Sequence, residues 1–365
     1  MSDGLEDVVA AETVLSEVEG AAGRLVIRGC ALDQLAGSES FEAVVHRLFE
    51  GFFEDLPAPE ALTAAIGRAR AEVFAEVAGL DARLVGLGSV EAVRALIARL
   101  PDGESLDTAL RLVAAPAVFT AAVSRKRQGL EPIAPDASLG HARDMLRMAR
   151  GSMPSEAAAA LDAYLVTVCD HGLNASTFAA RVTASTRAGL TSAVLAGISA
   201  LKGPLHGGAP GPVLQMLDEI GAPQNARAWL EAALDRGDRL MGFGHRIYRV
   251  RDPRADALKR AVARLAAEGE GAGGSFGRLA FAEAVEAAAL EVLKARKPNR
   301  SLQTNVEFYT ALLLEALDFP AEAFTGVFAA GRVAGWIAHA REQLAGGRLI
   351  RPQSRYVGPA PREAA

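Results

Sequence analysis

Helical periodicity fills nearly all of this chain and leaves little room for any other architecture. Over 40–52 the apolar residues Phe41, Val44, Val45, Leu48, Phe49 and Phe52 recur at the i, i+3, i+4, i+7 spacing of one helix face, with Ser40 as N-cap. Comparable patterns return at 58–77, 90–100, 105–124, 140–150, 155–171, 175–185, 188–202, 211–220, 224–236, 253–268, 277–296, 305–317 and 328–345. Short Gly/Pro breaks separate them, such as PDG at 101–103 and GAP at 221–223. Over 13–29, TVLSEVEG and RLVIRG flank a small turn and predict a β-hairpin. The expectation is a mainly α fold with a small N-terminal hairpin. Residues 188–201 (AGLTSAVLAGISAL) carry no charge, so this helix must be buried, either in the core or against a second subunit. The segment 268–277 reads as a Gly-rich surface loop.

A chain of 365 residues, half of them hydrophobic, can bury one large core or two. Its net charge of -5 argues against nucleic acid and anionic membranes as main partners. Cys30 and Cys169 lack CxxC spacing and form no disulfide framework, which fits a reducing cytoplasm. The acidic N-terminus does not read as a signal peptide. The longest apolar stretch, around 112–123, is interrupted by Pro116 and reads as too short to span a bilayer.

Several familiar motifs fail. GGSFG at 273–277 fits GxSxG, but a helix pattern and a Gly/Glu run precede it where a nucleophile elbow needs a strand. There is no Walker A lysine, no HExxH, and no GxGxxG after a strand. The histidines lie tens of residues apart and give no local zinc-ligand spacing.

Chemistry concentrates where the helical pattern breaks. Three of the six histidines stand at such breaks: His171 in CDHGLNAS, His206 in GPLHGGAP and His245 in GFGHRIYRVRDPR. Glycine beside a histidine allows close backbone approach to a ligand, while Asn174 or Ser176 is suited to cap the helix after His171. Around His245 lie Arg246, Arg249, Arg251 and Arg254, offset locally by Asp252 alone. Such a cluster on an acidic chain suggests a small polyanionic ligand. Glu307 has a plainer local reading. Thr304-x-x-Glu307 forms a capping box, in which the glutamate serves the helix start.

The strings DHGLNASTFAARVTAST, KGPLHGGAPGP, GFGHRIYRVRDPRA, TNVEFYTALLLEAL, GRVAGWIAHAREQ and RLIRPQSRYVG, in this order, resemble the citrate synthase family. They resemble its short, dimeric bacterial branch, which also holds 2-methylcitrate synthases, and the likeness covers nearly the whole chain. The resemblance implies a citrate synthase-like two-domain helical fold. The large domain would take 1–207 and 315–365, the small one 208–314, with the site in the cleft. It implies condensation of acetyl-CoA with oxaloacetate in the tricarboxylic acid cycle, with acetyl-CoA as co-substrate and no permanently bound cofactor or metal. By resemblance Glu307 is the base, His206 the neutral donor to the thioester oxygen, and His245 the acid at the oxaloacetate carbonyl. His171, Arg254, Arg332 and Arg351 would hold oxaloacetate, with Arg351 reaching over from the second subunit of a homodimer. Met241, Gly242 and Gly244 would contact the adenine end of CoA, and Arg249 its phosphates.

Two residues depart from the family pattern. The base is usually aspartate, and here it is Glu307; Pro210 stands where HGGAN is common. Displacing a carboxylate by about 1 Å can cost roughly 10²-fold in rate. The competing readings are 2-methylcitrate synthesis from propionyl-CoA, citryl-CoA cleavage, and a non-catalytic ligand-binding paralogue.

Overall fold

The computed structural model describes residues 4–5, 8–152, 154–207, 210–245, 247–267 and 275–359. Gly208, where the small domain was expected to begin, Arg246, and most of the Gly-rich 268–277 segment with its GxSxG match lie outside them.

The fold is mainly α, as the periodicity predicts. The helices are α1 (Leu32–Leu35), α2 (Phe41–Phe49), α3 (Pro59–Phe74), α4 (Ala82–Val85), α5 (Ser89–Ile97), α6 (Leu106–Arg127), α7 (His141–Arg150), α8 (Ser155–Val168), α9 (Ala175–Ser185), α10 (Leu190–Leu201), α11 (Pro210–Ile220), α12 (Ala226–Asp235), α13 (Pro253–Ala267), α14 (Ser275–Arg296), α15 (Val306–Ala316) and α16 (Phe324–Gly346). The predicted hairpin is present as β1 (Ser16–Glu19) and β2 (Arg24–Ile27), paired antiparallel. A two-residue β3 (Cys30–Ala31) extends it to three strands. Ser40 caps α2 and Asn174 caps α9, each accepting backbone N–H bonds through its side-chain oxygen.

One helix departs from the sequence reading, and a second shows a face that the core does not cover. Pro116 does not interrupt its segment: α6 runs through it for 22 residues. The helix is long and apolar enough to cross a bilayer by length and composition, yet 89% of its apolar window is buried inside the protein. Uncharged α10 is only partly enclosed. Leu190, Val194, Ile198 and Leu201 face the core, whereas Ser192, Leu195, Ala196 and Ser199 form a half-buried stripe along the opposite side.

Helix α16 passes through the middle of the core and meets α6, α8, α9 and α10. Small residues make this possible. A Cβ on Gly335 would collide with the Cys169 carbonyl, and one on Gly331 would crowd Val168. The close approach lays Arg332, Trp336 and His339 against the break that follows α8.

Candidate active site

A short bridge builds the centre of the site. Phe243 pairs antiparallel with Thr304, Gly244 N–H donates to Gln303 O (2.7 Å), and Asn305 N–H donates to Gly242 O (2.9 Å). Gly242 and Gly244 both have φ above 80°, where other residues are strained, and a Cβ on either would press on Phe308 or Leu302. The close approach these glycines permit is therefore to protein side chains. Gly242 O and both backbone groups of Gly244 are used within the bridge. The pairing brings the segments that carry His245 and Glu307 side by side, and Arg254 links the two residues, lying against His245 and acting electrostatically on Glu307.

The capping-box expectation is corrected here. The N-cap of α15 is Asn305, which accepts from Glu307 N–H (3.0 Å) and donates through Nδ2 to Gly244 O (2.9 Å). Thr304 instead donates to Glu286 (2.6 Å). The Glu307 carboxylate is left without a hydrogen-bond partner among the described residues. Burial pushes it up to about 7, against the pull of Arg239 and Arg254 and with a push from Asp252. The helix N-terminus does not outweigh that burial. Asn305→Ala removes a cap and a buried bond together, and should cost about 2 kcal/mol in urea unfolding while lowering turnover.

His245 accepts from the backbone N–H groups of Ile247 (3.0 Å) and Tyr248 (3.1 Å) at Nδ1. A neutral ring accepting there carries its proton on Nε2. Burial and Arg254 push its pKa down to about 4, so the ring is neutral at pH 7. Nε2 lies 3.2 Å from Nη2 of Arg254. Two donors thus face one position, and an oxygen acceptor placed there satisfies both. His171 is buried, in edge contact with His245 (5.5 Å between centroids), and its Nε2 is 3.1 Å from the Tyr248 hydroxyl. Burial, then Arg254 and Arg332, hold its pKa well below the usual value.

His206 lies close enough for its charge to act on His171. Its Nε2 is 2.8 Å from Ser176 Oγ, which also accepts from Trp336 Nε1 (3.1 Å) and reaches Asn174 Oδ1 (2.8 Å). Ser176 has one hydroxyl proton, which it donates to Asn174 Oδ1; in that arrangement His206 Nε2 donates to Oγ, and only when the proton turns to His206 does the ring's own proton sit on Nδ1. Pro210 is the first residue of α11, where a missing N–H costs nothing.

The arginines divide. Arg254 is buried and forked onto Asp252, with Nη2 to Oδ2 at 2.7 Å and Nε to Oδ1 at 3.0 Å; Asp252 also accepts from Val306 N–H. Arg332 is 1% exposed, donates from Nε to Val168 O, and has a buried Nη2 with no partner among the described residues. Burial and Arg254 push it down to about 10. Leaving a buried donor unpaired costs about 1–3 kcal/mol. The expected cationic cluster is smaller than the sequence suggests, because Arg251 pairs with Asp256 and Glu286 as well. Arg249 is exposed. Arg351 lies in the exposed C-terminal tail, and the structure does not bring it into the site of its own chain. Met241 is half-buried at the start of the bridge segment. Sequence reasoning missed Tyr248, Asn305 and Trp336, and read Ser176 only as a candidate cap and Asp252 only as an offset.

The family model described as the C-terminal domain of citrate synthase matches residues 4–353. The chain belongs to the citrate synthase family. It is 40% identical to a protein named putative citrate synthase 2 of Mycobacterium tuberculosis, over 98% of this chain and 93% of that one. It is also 36% identical to the 2-methylcitrate synthase of Mycobacterium tuberculosis, over 97% and 90%. The citrate synthase of Thermoplasma acidophilum, solved as a ternary complex with carboxymethyl coenzyme A and oxaloacetate, superposes with a TM-score of 0.87 at 27% identity, covering 100% of this chain and 98% of the other. The fold class is therefore that of the citrate synthases, whose members are acyl-transferring enzymes.

Proposed function

We propose that this chain condenses acetyl-CoA with oxaloacetate and water, giving citrate and CoA. One observation carries the reading: a half-buried carboxyl with no hydrogen-bond partner among the described residues, titrating near neutrality, shares a site with neutral imidazoles and a buried guanidinium whose Nη2 has no partner among them. Glu307 takes a methyl proton from the acetyl group while His206 donates to the thioester oxygen. The resulting enol carbon attacks the oxaloacetate ketone, whose oxygen takes the proton of His245. Water then hydrolyses the citryl thioester and CoA leaves as the thiol. A base poised near 7 and fixed donors suit this step, since losing one such donor costs roughly 3–4 kcal/mol. His171, Arg254 and Arg332 hold the two oxaloacetate carboxylates, with Arg351 arriving from a second copy of the chain. The half-buried stripe on α10 supports a homodimer. Met241 and Arg249 face CoA, Gly242 and Gly244 serve it only by shaping the bridge beneath, and residues 208–314 close as a small domain to exclude water. The unbridged Cys30 and Cys169 fit a cytoplasmic setting.

The 2-methylcitrate synthase relative supports a second reading with propionyl-CoA. Thiol release measured with oxaloacetate and each acyl-CoA separates the two. One methylene is worth about 1–3 kcal/mol, so kcat/KM for acetyl-CoA should exceed that for propionyl-CoA by roughly tenfold or more. The reverse order assigns propionyl-CoA, and no thiol release with either overturns the enzymatic reading.

A further inference from the structure

The N-terminal hairpin touches the site at two places. At one end the Ser16 hydroxyl donates to Asp170 Oδ2 (2.5 Å) and accepts from Gly172 N–H (2.9 Å), so one side chain grips both neighbours of His171. Asp170 is fully buried and is also held by His339, at 3.2 Å. At the hairpin tip, Gly20 O accepts from Arg249 N–H (3.0 Å), and a Cβ on Gly20 would collide with the Ile247 carbonyl. The tip therefore grips both neighbours of Tyr248. Gly23 packs on Val250 beside it. His171 and Tyr248 are joined through Nε2 and the hydroxyl at 3.1 Å. The contacts close a ring: Ser16, the 170–172 break, His171, Tyr248, the 247–249 segment, Gly20, and back along β1. Neither gripped segment lies in a helix or strand, so local structure alone does not fix these two side chains.

We propose that the hairpin is a clamp that positions His171, and with it the oxaloacetate half of the site, with Ser16 as a positioning residue that never touches substrate. A Tyr248 hydroxyl donating to Nε2 leaves the His171 proton on Nδ1, and the clamp keeps the two rings in register. This rests on His171 being an oxaloacetate ligand, as proposed above.

Ser16→Ala removes only the hydroxyl. The expected result is a rise of roughly tenfold in the KM and calorimetric Kd for oxaloacetate, with kcat and the KM for acetyl-CoA within about twofold of wild type. Ser16→Thr, which keeps the hydroxyl, should restore the oxaloacetate KM. In a Tyr248→Phe background, Ser16→Ala should add little, because both act on one pair. A folded Ser16→Ala protein with unchanged oxaloacetate affinity overturns the clamp, as does a purely additive double variant. If Ser16→Ala does not fold, Gly20→Ala, which pushes on the other jaw, carries the same expectation. Amide exchange at Arg249 gives a readout independent of turnover: Ser16→Ala should speed it from across the ring, and no change overturns the proposal. Wild-type protein that binds oxaloacetate but releases no thiol defeats the proposed reaction and leaves the clamp to be judged by affinity; if it binds none, exchange at Arg249 decides.

Discussion

Glu307→Gln is expected to lower kcat for thiol release by roughly 10²- to 10⁴-fold, the usual worth of a positioned general base. The same substitution should raise stability above neutral pH. The carboxyl titrates at about 7 when folded, against an ordinary value of 4.5. A raised folded pKa means that its favourable contribution is complete below about 4.5 and is lost as pH climbs through 7, where a half-buried carboxylate must be held without a partner among the described residues. Glutamine has no proton to lose. At pH 8 the variant should therefore be more stable than wild type by about 3 kcal/mol, and the difference should vanish near pH 4. Thermal melts at both pH values, with kcat/KM followed from pH 5 to 9, check this. Wild-type kcat/KM should rise with pH up to about 7 and then level. A Glu307→Gln protein that turns over normally but melts lower at pH 8 would remove the glutamate from the proposed chemistry.

Arg332→Met is expected to weaken oxaloacetate binding by roughly 10²-fold or more, the cost of removing a charge-assisted, forked partner of a carboxylate. Little stability should be lost with it. In the wild-type chain the guanidinium is buried, its Nη2 has no partner among the described residues, and its pKa is pulled down to about 10. Methionine keeps the apolar stem over Phe328, 4.9 Å from the present guanidinium, and gives up one bond to Val168 O. Oxaloacetate should raise the melting temperature of wild type by mass action and leave that of the variant unmoved. A variant that unfolds readily yet still responds to oxaloacetate would make Arg332 a structural cation.

Much of this was legible in the chain itself. Long amphipathic patterns read correctly because one helix face must meet the core, and the hairpin read correctly because alternation over four-residue strands leaves few options. The misreadings share a cause in partners distant in sequence. Thr304 and Asn305 are both good caps; Glu286, brought in by α14, takes the threonine hydroxyl and leaves the cap to asparagine. Arg251 looked free until α13 and α14 supplied Asp256 and Glu286. Pro116 reads as a break, but its helix is enclosed by neighbours that outweigh one missing backbone bond. Tyr248 carries no motif of its own, and its importance comes from touching a histidine 77 positions away.

The pairing of Phe243 with Thr304 has a consequence for how such a chain can change. Everything from α13 to α14 leaves and returns between two strands of backbone already fastened to each other. Lengthening a flexible excursion whose ends are pinned raises its closure entropy only logarithmically, about 0.6 kcal/mol per doubling. Insertions or deletions between those helices would then leave the spacing of His245 and Glu307 untouched, so this stretch can drift in length while the proposed reaction centre keeps its metric.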